Sequence, residues 1–90
     1  MVTVAKKITT EWFDMILAGK KKFELRLANF DIAEGDTLRL EEWTGIGDDR
    51  RPTGRFLEKM VTYARLVDIK AWTEKQPDLA DKGFWVIQFE

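Results

Sequence analysis

The chain has 90 residues, of which 44% are hydrophobic and 12% aromatic, and its formal net charge is −1. This composition is typical of a single globular domain spanning residues 1–90, and it excludes an intrinsically disordered chain. The chain contains no cysteine and no histidine, which excludes disulfides, thiolate metal sites, the usual zinc ligands and a Ser-His-Asp triad.

The first elements in chain order are a strand and a helix. The pattern predicts a short strand at Val2–Ile8 and a helix at Thr10–Ala18, followed by Gly19 as a cap that adopts positive φ at little cost. Four apolar side chains recur on one face of this helix at helical spacing: Trp12, Phe13, Ile16 and Leu17. We therefore expect these four to pack against the rest of the domain.

A second strand is predicted at Lys22–Leu27, because its side chains alternate strictly between apolar and charged. One face carries Phe23, Leu25 and Leu27, and the other carries Lys22, Glu24 and Arg26. The "AEGD" stretch that follows, Ala33–Asp36, is typical of a turn.

The second half of the chain is predicted to be mostly strand. Its expected elements are a strand at Thr37–Trp43, a polar loop at Thr44–Gly54, a long strand at Arg55–Val67, a short helix or loop between Asp68 and Lys82 (the helix around Ile69–Glu74), and a closing strand at Phe84–Phe89. The predicted fold class is thus α+β and mostly β: a small antiparallel barrel with one main helix near the N-terminus.

Charge and hydropathy restrict the partners that we expect. Tight nonspecific binding to duplex DNA usually needs a broad basic surface, whereas this chain has only local basic patches, at residues 20–22 and 50–55. A nucleotide or a short RNA element fits this balance better. With no apolar run near 18 residues and no signal-peptide pattern, the chain is expected to be cytoplasmic, without membrane contact.

The stretch "GKKKFELR", Gly19 to Arg26, concentrates four cations and one carboxylate beside apolar residues. It is open to two interpretations. The lysines can be solvated charge at a helix end, with Glu24 and Arg26 forming an ordinary surface pair. Alternatively, Lys21, Glu24 and Arg26 form a site for a polar ligand, because Glu24 and Arg26 share one strand face and the lysine lies just before it.

The chain resembles the ASCH domain family, a relative of the PUA-like RNA-binding barrels. The resemblance is carried by a helix ending in "LAGKK", then "KFELR", "GDTLRLEEW" and a late "GFWVIQF". The family signature, a glycine, a lysine and a Glu-x-Arg pair, corresponds here to Gly19, Lys21, Glu24 and Arg26. The Gly-Asp pair before a strand, in "GDTLRLEEW", is also typical of the family.

The resemblance implies a β-barrel with a cleft beside the first helix, and a link to RNA and modified nucleosides. Some small bacterial members look like amidohydrolases that remove the acetyl group of 4-acetylcytidine with a lysine, a threonine and a glutamate. Lys21 matches the lysine, whereas Glu24 stands in the place of the threonine. No residue matches the third position, for which Glu42 and Glu74 are candidates by residue type.

The leading interpretation is a metal-independent amidohydrolase, without cofactor, that acts on acylated cytosine nucleosides. Glu24 would activate water, and Lys21 or Lys20 would stabilise the oxyanion. The expected substrate-binding residues are Arg26, Glu42, Trp43 and Tyr63; Trp85 is a further candidate for stacking.

Two other functions remain open at this stage: a noncatalytic RNA-binding module that uses the same cleft, and a ribonuclease. Each predicted site residue also has a purely structural interpretation, since tryptophans more often fill cores and glutamates often lie at strand ends. The oligomeric state is undecided.

Overall fold

The computed structural model describes residues 1–67 and 82–90. The described elements are β1 (Thr3–Thr9), α1 (Thr10–Leu17), β2 (Phe23–Leu27), β3 (Thr37–Thr44), a short 3-10 turn (Gly47–Asp49), β4 (Arg51–Val67) and β5 (Phe84–Phe89). The α+β, mostly β class predicted from the sequence is confirmed. The helix expected around Ile69–Glu74 lies outside the described residues.

The five described strands form one mixed sheet in the order β1-β3-β4-β5-β2. β1 runs parallel to β3, and the other neighbouring pairs are antiparallel. A parallel pair requires a crossover connection between its two strands. The connection from β1 to β3 contains α1 and β2. No ladder joins β1 to β2 within residues 1–67 and 82–90, so the predicted barrel is not closed and both strands keep a free edge.

β4 is the longest described strand, and it pairs with β3 on one side and with β5 on the other. Its first part pairs with β3 from Arg51 to Met60, and its second part pairs with β5 from Val61 to Val67. The sequence predicts that the strand starts at Arg55, because Pro52 and Gly54 are typical of a loop. Pairing with the end of β3 extends the ladder back to Arg51 despite that composition.

The buried core lies between α1 and the sheet. Its members are Ile8, Phe13, Ile16, Ile32, Leu38, Leu40, Val61, Ile87 and Phe89. Of the four helix residues predicted to pack inward, Phe13 and Ile16 are buried, whereas Trp12 and Leu17 are about half exposed. α1 has only eight residues, so it buries a narrow stripe and leaves the neighbouring apolar positions at the surface.

Asp36, the second residue of the Gly-Asp pair, has a structural role. Its buried carboxylate accepts hydrogen bonds from the backbone amides of Val2 (3.1 Å) and Ala33 (2.9 Å). It therefore fixes the turn before β3 and ties the start of the chain to it, which satisfies backbone donors that would otherwise be unpaired.

Glu42 joins β3, β4 and α1 through Arg55. The Glu42 side chain is 2% exposed and receives two hydrogen bonds from the Arg55 guanidinium, at 2.8 and 2.7 Å, and one from the Thr53 hydroxyl at 2.6 Å. Arg55 also contacts Asp14 on α1 at 3.1 Å and lies over the Phe13 ring. These contacts hold the helix against the sheet.

The core packing predicts that truncation of a single buried side chain will lower the free energy of unfolding strongly. Leu40 has no exposed surface, so Leu40→Ala should lower the free energy of unfolding by about 2–5 kcal/mol, the usual range for such a truncation. Urea denaturation measures the change. Leu66→Ala, at a half-exposed leucine of β4, is the matched control and should change stability by no more than about 0.5 kcal/mol. Equal losses in the two variants would contradict this core assignment.

The Glu42 contacts predict an acid-sensitive contribution to stability. Hydrogen bonds from Arg55 first, and then from Thr53, lower the pKa of Glu42 to about 2 from the ordinary 4.5. Because the folded state favours the ionised carboxylate, the contribution is fully present above pH 4.5 and is lost as the pH falls toward 2. Denaturation curves at several pH values should therefore show the wild type losing its advantage over Glu42→Gln as the pH drops. The exposed control Glu58→Gln should stay close to the wild type at every pH, and an advantage over Glu42→Gln independent of pH would refute the assignment.

Candidate functional site

The end of α1 positions the lysines of the "GKKKFELR" stretch. Ala18 is the last helical cap residue, and Gly19 follows with φ +75°. The amide of Gly19 donates to the Ile16 carbonyl at 3.0 Å, and the amide of Lys20 donates to the Met15 carbonyl at 3.0 Å. This pair of bonds is a Schellman motif, in which glycine supplies the left-handed residue. The chain turns sharply there and directs Lys21 back toward β2.

Glu24 is the centre of the site. Its side chain is 5% exposed, and each carboxylate oxygen has a cationic partner: Lys21 Nζ at 2.6 Å from Oε1 and Arg26 Nε at 2.7 Å from Oε2. The side chains of Lys21 and Arg26 remain 15% and 25% exposed. A buried carboxylate needs such partners, because leaving it unpaired would cost several kcal/mol. The three residues that the sequence groups together therefore do meet.

The alternation of β2 is as predicted, but the charged face carries the buried side chain. Phe23 and Leu25 are more than half exposed, whereas Glu24 between them is buried. Within the described residues, β2 forms a ladder only with β5, and no described element packs over Phe23 and Leu25 closely enough to bury them. This is the reverse of the usual arrangement, in which the apolar face of a strand is the buried one.

Arg26 connects the two free edges of the sheet. Its Nη2 donates a 2.7 Å hydrogen bond to the backbone carbonyl of Lys7 on β1. β1 and β2, at opposite ends of the strand order, are thus held near each other by a side chain instead of by a ladder. The opening left between them is the site.

A cleft of about 780 Å³ occupies this opening. It is lined by residues 6–9 of β1, Trp12 of α1, Lys21, the whole of β2, and Asn29 and Phe30. This volume lies within the range of small-molecule sites. Its charge is unbalanced: the described lining residues include the cations Lys6, Lys21 and Arg26 and one carboxylate, Glu24. Lys7 also lines the cleft, but its ammonium lies on the Trp43 ring outside it.

Aromatic rings border the Lys21 side of the cleft. The Lys21 ammonium lies 4.8 Å from the centre of the Trp12 ring and 5.4 Å from that of Phe23. Trp12 was expected in the core from its helical spacing, yet it is half exposed and lines the cleft. The sequence instead predicted stacking residues at Trp43, Tyr63 and Trp85, none of which lines this cleft.

Lys6 is a second cleft residue that sequence reasoning missed. It lies on β1 between Val4 and Ile8, in phase with the inward-facing positions of that strand, and its ammonium lies 3.7 Å from the centre of the Phe30 ring. Burial, and to a lesser extent the nearby charge of Arg26, lower the pKa of Lys6. The sequence did contain a signal for this residue, because a lysine at an inward-facing position of an alternating strand is unusual.

The other predicted site residues lie away from this cleft. Lys20 is exposed and does not line it. Glu42 is engaged by Arg55 and Thr53, and Trp43 lies beneath the ammonium of Lys7 at 3.9 Å. Glu42 and Trp43 instead line a separate depression of about 250 Å³ formed by β3 and β4.

Two further aromatic candidates are also elsewhere. Tyr63 borders a separate depression of about 500 Å³ formed by β2, β4 and β5. Trp85 packs against the core and donates its indole N–H to the Phe30 carbonyl at 2.7 Å. Glu74 lies outside the described residues. The placement of Trp85 fits the core interpretation of that residue, whereas Tyr63 is half exposed.

Two classes of feature are absent from residues 1–67 and 82–90. No three or more aspartate, glutamate, histidine or cysteine side chains are grouped as they would be to hold a metal ion. No helix in the same ranges has the length and apolar character needed to cross a membrane.

Comparison with known proteins shows a family and a shared fold. The chain is 36% identical over 69 residues to the "Uncharacterized 12.9 kDa protein in GpA 3'region" of Escherichia phage P2; the match covers 76% of this chain and 57% of that protein. The chain thus spans little more than half the length of this relative. The crystal structure titled "hypothetical protein PH0355" is similar with a TM-score of 0.70 and 21% identity, over 100% of this chain and 98% of that one, which shows the same fold.

The family is shown by a match that covers most of the sequence. Residues 5–75 match the model of a family described as a domain of unknown function, DUF3850. The matched range contains most of β1 and all of α1 and β2, and with them the described lining of the cleft. The chain therefore belongs to the DUF3850 family.

Proposed function

We propose that this protein is a cytoplasmic amidohydrolase that removes the acyl group from the exocyclic amine of 4-acylcytidine or acylcytosine. The observation that carries the proposal is the Lys21–Glu24–Arg26 cluster on the wall of a nucleoside-sized cleft. The cluster also lies on the signature that resembles the ASCH family, in which Lys21 matches the lysine of the amidohydrolases and Glu24 stands in the place of their threonine.

The cluster has the groups that amide hydrolysis requires. Water attacks the acyl carbon while Glu24 takes up its proton, and the Lys21 ammonium stabilises the negative charge on the carbonyl oxygen. A carboxylate has about four lone-pair sites, so Glu24 can accept from water while bound to two cations. The tetrahedral intermediate then collapses, the carbon–nitrogen bond breaks, and the proton passes to the departing amine. The products are a carboxylate and cytidine.

Arg26 has a positioning role in this scheme. It holds Glu24 through Nε and is itself anchored on the Lys7 carbonyl through Nη2. The planar guanidinium fixes both contacts in one geometry, which lysine cannot reproduce. Arg26 therefore keeps the Glu24 carboxylate oriented toward the cleft.

The walls of the cleft suit a pyrimidine. The half-exposed ring of Trp12 offers a surface on which the base can stack. Asn29 lines the same cleft, and its amide can both donate to and accept from the polar edge of cytosine. The substrate amine is part of an aromatic system that stabilises it as a leaving group, so the bond is weaker than a peptide bond.

A noncatalytic RNA-binding module is the second candidate. The observation that favours it is the excess of cations in the cleft: among the described lining residues, Lys6, Lys21 and Arg26 face one carboxylate, Glu24. Phosphate contacts of this kind supply much of the affinity of proteins for nucleic acids. In such a module, Glu24 would hold Lys21 and Arg26 in place instead of taking up a proton.

The first test is direct. The protein incubated with 4-acetylcytidine should release cytidine and acetate, followed by liquid chromatography, and the reaction should continue in the presence of a chelator. A parallel incubation with a short RNA tests for strand cleavage. Binding of RNA without turnover of any acylated cytosine would favour the RNA-binding module, and cleaved RNA would favour a ribonuclease.

Glu24→Gln tests the general-base role of Glu24. It keeps the shape of the side chain but removes the base, so kcat should fall on the order of 10²–10⁴-fold. Since the variant also leaves Lys21 and Arg26 without a counter-charge, its melting temperature is measured alongside the rate. Glu58→Gln is the control for a lost surface carboxylate and should keep full activity. A folded Glu24→Gln protein with unchanged kcat would end the general-base role.

Trp12 should contribute to substrate affinity. Stacking of one base is worth about 1–3 kcal/mol, so Trp12→Ala should raise KM by about tenfold or more, while Trp12→Phe should restore most of the loss. The matched control is Tyr63→Ala, because Tyr63 is equally exposed but lies outside the cleft. A larger rise in KM for Tyr63→Ala than for Trp12→Ala would place the base elsewhere.

A further inference from the structure

The cleft contains one cation that the proposed reaction does not use. Lys6 lies at an inward-facing position of β1, and its ammonium contacts the Phe30 ring. Within the part of the chain that the structure describes, Lys6 forms no ion pair with a carboxylate. A half-buried ammonium held against an aromatic face, without a counter-ion, is placed to receive an anion from outside.

The neighbouring charges strengthen this reading. Glu24 is the one carboxylate among the described lining residues. Because both of its oxygens are already bound, by Lys21 and by Arg26, it is not available to neutralise Lys6. Arg26 uses Nε and Nη2 for its contacts and makes no hydrogen bond through Nη1 within the described residues. Its charge is near enough to lower the pKa of Lys6, after the larger effect of burial. Two cations that repel each other are both stabilised when an anion binds between them.

We propose that Lys6, together with Arg26, binds a phosphate group of the substrate, so that the protein acts on acylated cytosine nucleotides in preference to the uncharged nucleoside. This inference rests on the proposed function for the cytosine part of the ligand. The cleft of about 780 Å³ has room for more than a base. Stacking at Trp12 of α1 and phosphate binding at Lys6 of β1 would use two different elements that line the same opening.

The test is a binding measurement that does not depend on turnover. Calorimetry at low salt compares cytidine with 5′-CMP and with the dinucleotide cytidylyl-cytidine on the wild-type protein. We expect at least one phosphorylated ligand to bind about tenfold tighter than cytidine, as one charge-assisted contact allows. The preference should shrink as salt is added. A preference for 5′-CMP indicates a monoester site, and a preference for the dinucleotide indicates the phosphodiester of an RNA chain.

Substitutions then assign the effect to Lys6. Lys6→Met should abolish the preference and leave the affinity for cytidine unchanged, while Lys6→Arg should retain it. Lys59→Met removes one positive charge from β4, outside the cleft, and should leave the preference intact. If Lys6→Met folds poorly, the wild-type affinities for cytidine and the phosphorylated ligands still decide whether a phosphate preference exists, and Lys6→Arg and Lys59→Met then test the role of Lys6.

The outcomes separate this inference from the proposed function. Equal affinity for cytidine and both phosphorylated ligands overturns the phosphate subsite, even if 4-acetylcytidine is hydrolysed. A Lys6-dependent preference without hydrolysis supports the subsite while the amidohydrolase proposal fails. If Lys6→Met stops hydrolysis of 4-acetylcytidine but keeps the phosphate preference, Lys6 acts in the chemistry and the subsite is refuted.

Discussion

The buried carboxylate of Glu24 is the interaction on which the site depends. A charge in this position is tolerated only because Lys21 and Arg26 each bind one of its oxygens. Lys21 is brought there by the turn that ends α1, and Arg26 is held by the backbone of β1 through Lys7. One ion-pair cluster therefore connects the helix, both free edges of the sheet and the wall of the cleft.

The opening between β1 and β2 has a structural origin. Further backbone pairing between these strands would close the sheet and fill the space with ladder hydrogen bonds. Instead, one Arg26 side chain spans the gap, and the remaining polar and aromatic groups of the two edges stay available to a ligand. Unpaired strand edges carry a risk of association with other chains. Around this cleft, Lys6, Lys7 and Arg26 place positive charge at the edges, which discourages such pairing.

Glu42 is, like Glu24, a buried glutamate that is paired with an arginine. Glu42 receives hydrogen bonds from Arg55 and Thr53, as Glu24 does from Lys21 and Arg26. The Arg55 contacts continue to the helix, so this cluster serves to hold two elements together. By residue type the two glutamates are equivalent candidates. Glu24 borders a cleft of about 780 Å³, whereas the depression beside Glu42 has about 250 Å³, and this difference favours Glu24 as the candidate for ligand binding.

Local physical chemistry was sufficient to predict the helix, its glycine cap and most of the strands, because periodicity, positive φ and strand alternation act between near neighbours. Alternation also placed Glu24 and Arg26 on one strand face with Lys21 just before it, but it left open whether they form a surface pair or a site, and the resemblance to the ASCH family favoured the site. Sequence periodicity did not reveal which face of β2 is buried, where β4 begins, or that Trp12 and Lys6 line the cleft. Those features depend on which strands pair and at what register. An alternating pattern reads the same whether its apolar side meets a core or, as at the free edge of β2, an open cleft, and only the tertiary structure decides between the two.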